Sequence, residues 1–359
     1  MSVSDELIAR LGIELPIVQA PMAGCSGLAL AVAVARAGGL GSLPAAMLTT
    51  EQFAGQIDEF RHATQAPLNA NFFCHAEPHV SGTQLEAWSE SLSRFDAELG
   101  VDRASTSPGV PRHPFDDDAC KLVERYRPEI VSFHFGLPAP ELVDRVRSTG
   151  AVVMSSATTV AEAVWLESHG CDVVIAQGAE AGGHRGMFLT TDVAAQPGTM
   201  ALVPRVVDAV AVPVIAAGGI ADGRGIAAAL VLGASAAQLG TAYLLCPEAL
   251  TPPTHQGALA GGSIDDTVLT NVFTGRPARG RRNRLIDEVG PMSSDAPAFP
   301  LASAAVAPLR AAAEKTGSGD FSPLWSGQAG VLTTGVPAGD LTREMMAGAQ
   351  QALRNAHAD

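Results

Sequence analysis

PVIAAGGIADGRGIAAALVLGASAAQLGTAYLLC, residues 213–246, contains a complete strand–helix–strand unit. The apolar runs Pro213–Gly219 and Ala236–Ala242 read as strands, and Gly225–Leu232 reads as the helix between them. Both strands end in residues of little bulk, Gly218–Gly219 and Gly240–Thr241, and Asp222 stands where a helix N-cap belongs. Strands joined through a helix run parallel.

The same unit recurs upstream. Strands are expected at Leu15–Met22, Leu40–Pro44, Leu68–Cys74, Ile130–Gly136, Ala151–Ala157 and Val173–Gly178. Helical patterns lie between most of them: Leu28–Ala37, Thr50–Arg61, Ala119–Tyr126, Ala139–Arg147, Val160–His169 and Met200–Val210. Eight such units predict a closed α/β (β/α)8 TIM barrel. An open doubly wound sheet is the alternative, but the first turn, APMAGCSGL, lacks G-x-G-x-x-G. Two stretches fall outside the repeat. Residues 75–118, with His75, His79 and His113, are expected as an insertion after strand three that passes over the barrel mouth. Residues 246–359 follow the barrel (1–245) as an extension packed on its top, with helices near Ala302–Lys315 and Leu341–Ala356.

Composition narrows the function. With 359 residues, 47% hydrophobic and 17% charged, the chain can bury a large core. A net charge of −14 argues against nucleic acid and anionic membranes as partners. Five scattered cysteines form no C-x-x-C pair, so neither a disulfide framework nor a metal site is expected. No apolar run suits a signal peptide or a membrane span, and a cytoplasmic location is expected.

Barrel active sites lie at the C-terminal ends of the strands, with phosphate held after strands seven and eight. Gly218, Gly219, Gly240 and Thr241 occupy those places, although glycines also make plain tight turns. Alternation along Leu68–Cys74 sets Asn69, Asn71 and Phe73 on one face, where the two amides call for partners inside the barrel. A flat heterocycle would serve them, as would an internal network; Gln177 is a third amide at a similar level. In VSFHFG, Ser132, His134 and Gly136 share the inward face, while Val131, Phe133 and Phe135 face the helices. His134 is therefore a core histidine or a site residue. His184, in AQGAEAGGHRG, lies past a strand end among glycines, a loop too pliant to be explained by packing. The basic run Arg276, Arg279, Arg281, Arg282 and Arg284 reads as a salt-bridged surface or as a funnel for an anion.

Several blocks together, PIVQAPMAGCSGLALAVAVARAGGLGSL, NANFF, SFHFGLP, AQGAEAGGHRG, PVIAAGGIADGRG, QLGTAYLLCPEA and TGRPARG, resemble the nitronate monooxygenases, formerly 2-nitropropane dioxygenases. GTAYLLCPEA, TGRPARG and LWSGQAG look like the class I branch. The resemblance implies a TIM barrel with non-covalent FMN. It also implies oxidation of an alkyl nitronate, such as propionate 3-nitronate, by O2 to a carbonyl compound plus nitrite or nitrate. Ala20, Pro21 and Met22 would line the flavin through backbone atoms, and Asn69, Asn71 and Gln177 would bond it. Gly182, Gly183, Gly218, Gly219, Gln238, Gly240 and Thr241 would surround the ribityl chain and phosphate, with Ser326, Gly327 and Gln328 as further contacts. His184 matches the family's site histidine, with His134 and Lys315 as further catalytic candidates. The protein is expected as a monomer or homodimer. Three alternatives share the pattern: an NAD(P)H-dependent FMN quinone or enoyl reductase, a flavin-free phosphate-sugar isomerase or aldolase, and a non-catalytic flavin-binding protein.

Overall fold

The computed structural model describes residues 3–79, 81–103, 112–261 and 266–356. Elements are numbered in chain order. The barrel strands are β1 (Ile17–Gln19), β2 (Gly41–Pro44), β3 (Leu68–Phe73), β4 (Ile130–His134), β5 (Val152–Ala157), β6 (Val173–Gln177), β8 (Val214–Ala217) and β9 (Ala236–Leu239). The short β7 (Gly183–His184) lies outside the barrel. Neighbours run β1-β9-β8-β6-β5-β4-β3-β2, and every pair is parallel. The TIM barrel of the sequence reading is present. Several ladders are shorter than the apolar runs, because Ala20–Met22, Gly218–Gly219 and Gly240–Ala242 leave the ladder and turn into the mouth.

Closure needs a join between β1 and β2. Their backbones bridge only at Val18 and Leu40. The buried Gln19 extends that short ladder, its Oε1 accepting from the Ser42 backbone N–H at 2.9 Å. A side-chain amide thus satisfies a donor that the strand pairing leaves over.

Seven helices alternate with the strands: α2 (Leu28–Arg36), α3 (Thr50–Ala63), α5 (Asp117–Tyr126), α6 (Pro140–Ser148), α7 (Val160–Ser168), α8 (Thr199–Val207) and α9 (Gly223–Val231). Local chemistry sets their starts: Thr49 and Gln52 form a capping box on α3, and Asp222 accepts from the N–H groups of Arg224 and Gly225 at α9. α1 (Val3–Leu11) covers the other end of the barrel. Its Leu7 and Leu11 join Val18, Leu40, Ile130, Met154, Val173 and Ile215 in an apolar plug.

The C-terminal third departs from the expectation that all of 246–359 sits on the barrel top. β10 (Thr267–Thr270) and β11 (Ala278–Arg281) form a three-stranded antiparallel sheet with β7 at the mouth. α11 (Arg284–Val289) and α12 (Ala302–Lys315) share a core with α4 (Gly82–Leu99), which comes from the 75–118 insertion. Trp88, Phe95, Leu285 and Leu309 meet there, and the Trp88 indole N–H donates to the Ala302 carbonyl at 3.1 Å. α10 (Pro253–Ala260) precedes this group. α13 (Ala338–Ala356) instead lies along the barrel wall against α9 and α2, where it completes the helical ring. The reason is burial: Leu341, Met345 and Ala349 complete the apolar surface around Leu30, Val34 and Ile226. Among the described residues, no helix is long and apolar enough to cross a membrane.

Candidate active site

Side chains pointing into the barrel change character as the strands rise. β4 presents Ile130, then Ser132, then His134; β6 presents Val173, Ile175, then Gln177. Above the apolar plug a cavity of about 1410 Å³, including its open mouth, occupies the C-terminal ends of the strands. Ala20, Pro21, Met22, Asn71, His134, Gln177, Gly182, Gly183, His184, Gly218, Gly219, Gln238, Gly240 and Thr241 line it.

Four expected residues stand elsewhere. Asn69 is one layer deeper, donating to Ser42 Oγ at 2.9 Å. Ser326 is buried behind the wall, its hydroxyl on the Gly327 carbonyl. Gln328 is exposed on an adjoining hollow, its N–H on the Glu180 carbonyl. Lys315 is a correction: it is the exposed last residue of α12, outside the cavity, because that helix turns Val306, Leu309 and Ala313 inward instead.

His184 is held far more firmly than its glycine-rich surroundings suggest. Gly183 and His184 pair with Arg279 and Ala278 of β11. The His184 carbonyl accepts from Gln177 Nε2 at 3.0 Å and is 3.2 Å from His134 Nε2. Gln177 Oε1 accepts from the Gly186 N–H at 2.7 Å. The fully buried Arg185 donates to the carbonyls of Gln177 and Gly178 and to Gln196 Oε1. The buried Glu162 carboxylate accepts from the N–H groups of Phe188 and Leu189. The loop is thus pinned by long-range pairing that no local pattern encodes.

These bonds also assign His134. A carbonyl only accepts, so His134 Nε2 carries the proton, and Nδ1 accepts from Ser156 Oγ at 3.1 Å. Burial, aided by the charge of Arg276, pushes its pKa down to about 3. With both nitrogens engaged on protein, His134 positions the His184 segment.

The His184 ring stands among Phe73, Phe135, Phe299 and Trp325, with its Nε2 2.9 Å from Thr274 Oγ1. Burial, then the positive charges of Arg112 and other neighbours, holds its pKa well below the usual histidine value, so the imidazole is neutral near pH 7. Phe135 corrects the expected outward face of β4. Its φ of +75°, followed by Gly136 at +92°, breaks the alternation and swings the ring toward the mouth. There it stacks beneath Arg276, whose guanidinium carbon is 3.8 Å from the ring centre.

The arginine run divides. Arg282 and Arg284 form exposed ion pairs with Asp266, Asp287, Glu98 and Glu288, as a solvated surface would. Arg276 and Arg279 turn inward, and each donates to main-chain carbonyls, Met187 and Ala179 respectively.

At the glycine turns, φ is +105° for Gly218 and +70° for Gly219, and a Cβ on Gly218 would meet the Ala181 nitrogen at 3.0 Å. Gly182 has another reason to be glycine: a Cβ there would meet the Gly327 nitrogen at 2.5 Å. Thr241 Oγ1 accepts from that same Gly327 N–H at 2.9 Å and so ties the C-terminal strap to the end of β9.

Several cavity residues escaped the sequence reading. Arg112 hides in a Pro- and Ser-rich stretch with no periodicity. Cys25 and His255 face each other at 4.0 Å, and His255 donates to the Trp325 carbonyl. Arg185 and Glu162 carried no signal beyond the GGHRG block and a helix start.

The family model for nitronate monooxygenase matches residues 4–348 of this chain. A curated nitronate monooxygenase of Pseudomonas aeruginosa is 40% identical over 345 residues, covering 96% of this chain and 98% of its own. The solved structure of a nitroalkane oxidase from Streptomyces ansochromogenes aligns with a TM-score of 0.87 at 39% identity, over 96% of this chain and 98% of the other. FabK from Thermotoga maritima aligns with a TM-score of 0.73 at 26% identity, over 98% of both chains.

Proposed function

This chain belongs to the nitronate monooxygenase family, and from that premise we propose that it oxidises alkyl nitronates with O2 on a bound FMN, giving a carbonyl compound and nitrite or nitrate. The observation that carries the reading is one cavity that joins a pinned, neutral imidazole to the glycine turns after β8 and β9.

The cavity's residues fit FMN. Gln238 Oε1 is buried without a partner, and so is Asn69 Oδ1 one layer below; unpaired acceptors are costly unless a ligand donor meets them. Gly183 has open space where a Cβ would stand, and Gly218, Gly219, Gly240 and Thr241 bring backbone to the cavity where a phosphate would be held. Ala20, Pro21 and Met22 supply a wall of backbone at the end of β1 for the flavin ring. Electron transfer between nitronate and O2 is the chemistry that FMN supplies when bound.

The protein's part is binding and orientation. His184, being neutral, has a single ring N–H; when Thr274 Oγ1 donates to Nε2, that N–H is on Nδ1 and meets an anion as a hydrogen-bond donor. Thr274 fixes the ring from one side; Gln177 and His134 fix its backbone from the other. Phe73, Phe135, Phe299 and Trp325 exclude water around it. The depressed pKa makes His184 a poor base, which suits a substrate that arrives already deprotonated. The test is oxygen uptake by FMN-replete protein given propionate 3-nitronate without NAD(P)H. Rapid uptake that His184→Asn slows by about a hundredfold or more is expected. Uptake only on addition of NAD(P)H would overturn the reading in favour of a reductase.

A further inference from the structure

Of the five cysteines, all among the described residues, Cys25 alone lines the cavity. It sits in the turn after β1. Its N–H donates to the Met22 carbonyl at 2.9 Å, and its own carbonyl accepts from the Leu250 N–H at 2.8 Å, so its backbone is held on both sides. Its Sγ lies 4.0 Å from Nδ1 of His255, which also lines the cavity. The proton on His255 follows from its other nitrogen. Nε2 is 3.0 Å from the Trp325 carbonyl, a group that only accepts, so Nε2 carries the hydrogen and Nδ1 turns its lone pair to the thiol. A nucleophile, a proton acceptor and a group that orients the acceptor are thus in line.

A donor completes the set. The Thr251 hydroxyl stands next to the sulfur. It is buried and makes no hydrogen bond among the described residues, an arrangement that an oxygen-bearing ligand would relieve. Cysteine and histidine also ligate metals, but among the described residues no cluster of three such groups exists.

The pair rests uncharged. Burial pushes the Cys25 thiol up, against the pull of Thr251 and the charge of Arg310, and burial pushes His255 down to about 4. The proton therefore leaves sulfur only as a bond to carbon forms, which confines the reaction to a molecule held in the cavity. Trp325 joins the pair to the site: its carbonyl holds His255, and its ring centre is 5.5 Å from that of His184.

We propose that Cys25 captures an aldehyde in the cavity as a reversible thiohemiacetal, with His255 moving the proton and Thr251 bonding the oxygen. The carbon–sulfur bond forms as the π bond of the C=O opens. The thiol proton passes through Nδ1 to the carbonyl oxygen, nothing is oxidised or reduced, and the reverse step releases the aldehyde. The source of the aldehyde rests on the nitronate-oxidising reading above: a primary nitronate leaves one as its carbonyl product. The enzyme then holds its own product and slows as it accumulates.

The experiment mixes FMN-loaded protein with propanal isotopically labelled at its carbonyl carbon, with no nitronate present, and follows the label by carbon NMR. The expected result is a resonance from a carbon bonded to both oxygen and sulfur. It should saturate at one label per chain, at aldehyde concentrations about tenfold or more below those that free N-acetylcysteine needs. Cys25→Ala should show only propanal and its hydrate, and Cys25→Ser carries the test if the Ala variant does not fold. Thr251→Val should weaken capture by about 2- to 10-fold, the worth of one hydrogen bond. In turnover of propyl-1-nitronate, added propanal should inhibit wild type reversibly. Cys25→Ala should keep the initial rate within about twofold and lose that inhibition. No carbon–sulfur adduct in wild type, or an adduct or inhibition that survives Cys25→Ala, would overturn the proposal. An adduct in a protein that oxidises no nitronate would sink the oxidase reading alone, and the thiol site would stand for an aldehyde supplied from outside.

Discussion

The floor and the mouth of this barrel are built by the same strands, two or four residues apart, and they are opposites. At the floor, Val18, Leu40, Ile130, Met154, Val173 and Ile215 meet Leu7 and Leu11 of α1 with no polar side chain among them. An ion pair of Arg10 with Asp172 and a bond from Ser4 Oγ to the Ser235 carbonyl fasten α1 over that plug. At the mouth, Asn71, Ser132, His134, Gln177 and Gln238 fill the corresponding inward positions. The floor needs no ligand to be satisfied, whereas the mouth leaves the Gln238 acceptor open among the described residues. The contrast teaches that stability and chemistry are separated along the strand axis, so each can be disturbed alone.

The largest expected effect tests the floor. Ile215→Ala should destabilise the fold by about 2–5 kcal/mol, read by chemical denaturation, with activity per folded molecule unchanged. Lost specific activity would mean that the two ends are coupled. The mirror experiment is His184→Asn, which should lower kcat/KM by about 100- to 1000-fold and shift the unfolding midpoint little, since the segment is held through its backbone. A large loss of stability would show the histidine to be structural.

Acid comes next and should act on the mouth. His134 and His255 are pushed down to about 3 and about 4 by burial, and His184 is also depressed. Between an unfolded value near 6.5 and those values, the unfolded chain binds protons that the native state does not. Stability should therefore be full above about pH 6.5 and fall as the pH drops toward 4, each histidine adding up to about 1.4 kcal/mol per pH unit. Melting curves across that range check it, and His134→Gln should flatten the slope. Over pH 6–8, kcat/KM for a preformed nitronate should show no inflection from His184. The smallest effect belongs to the rim: Arg282→Ala removes exposed pairs with Asp266 and Asp287 and should leave midpoint and activity unchanged.

Legibility in the sequence followed the same axis. All eight strands could be read because β-branched runs and their small-residue endings are local signals, and the inward positions of Asn69 and Asn71 on β3 and of Ser132 and His134 on β4 followed from a period of two. The reading failed where partners are distant. β7 looked like loose loop because β11, its partner, comes about a hundred residues later. Phe135 left its expected face through one positive φ, which no pattern of hydrophobicity marks. Lys315 was placed by motif proximity alone, whereas Arg112 sits in a stretch with no period to read. α13 was assigned to the top because order along the chain says little about which wall remains bare.

That last helix has a consequence for synthesis. α2 is made among the first forty residues, yet part of its covering is α13, residues 338–356. About a hundred residues separate β9, which shuts the ring of strands, from the start of α13. At a ribosome's pace of about 5–20 residues per second, the nascent barrel spends roughly 5–20 s with an uncovered seam between its first and its last repeats. For that interval the apolar side of Leu30, Val34 and Ile226 lacks its final partner.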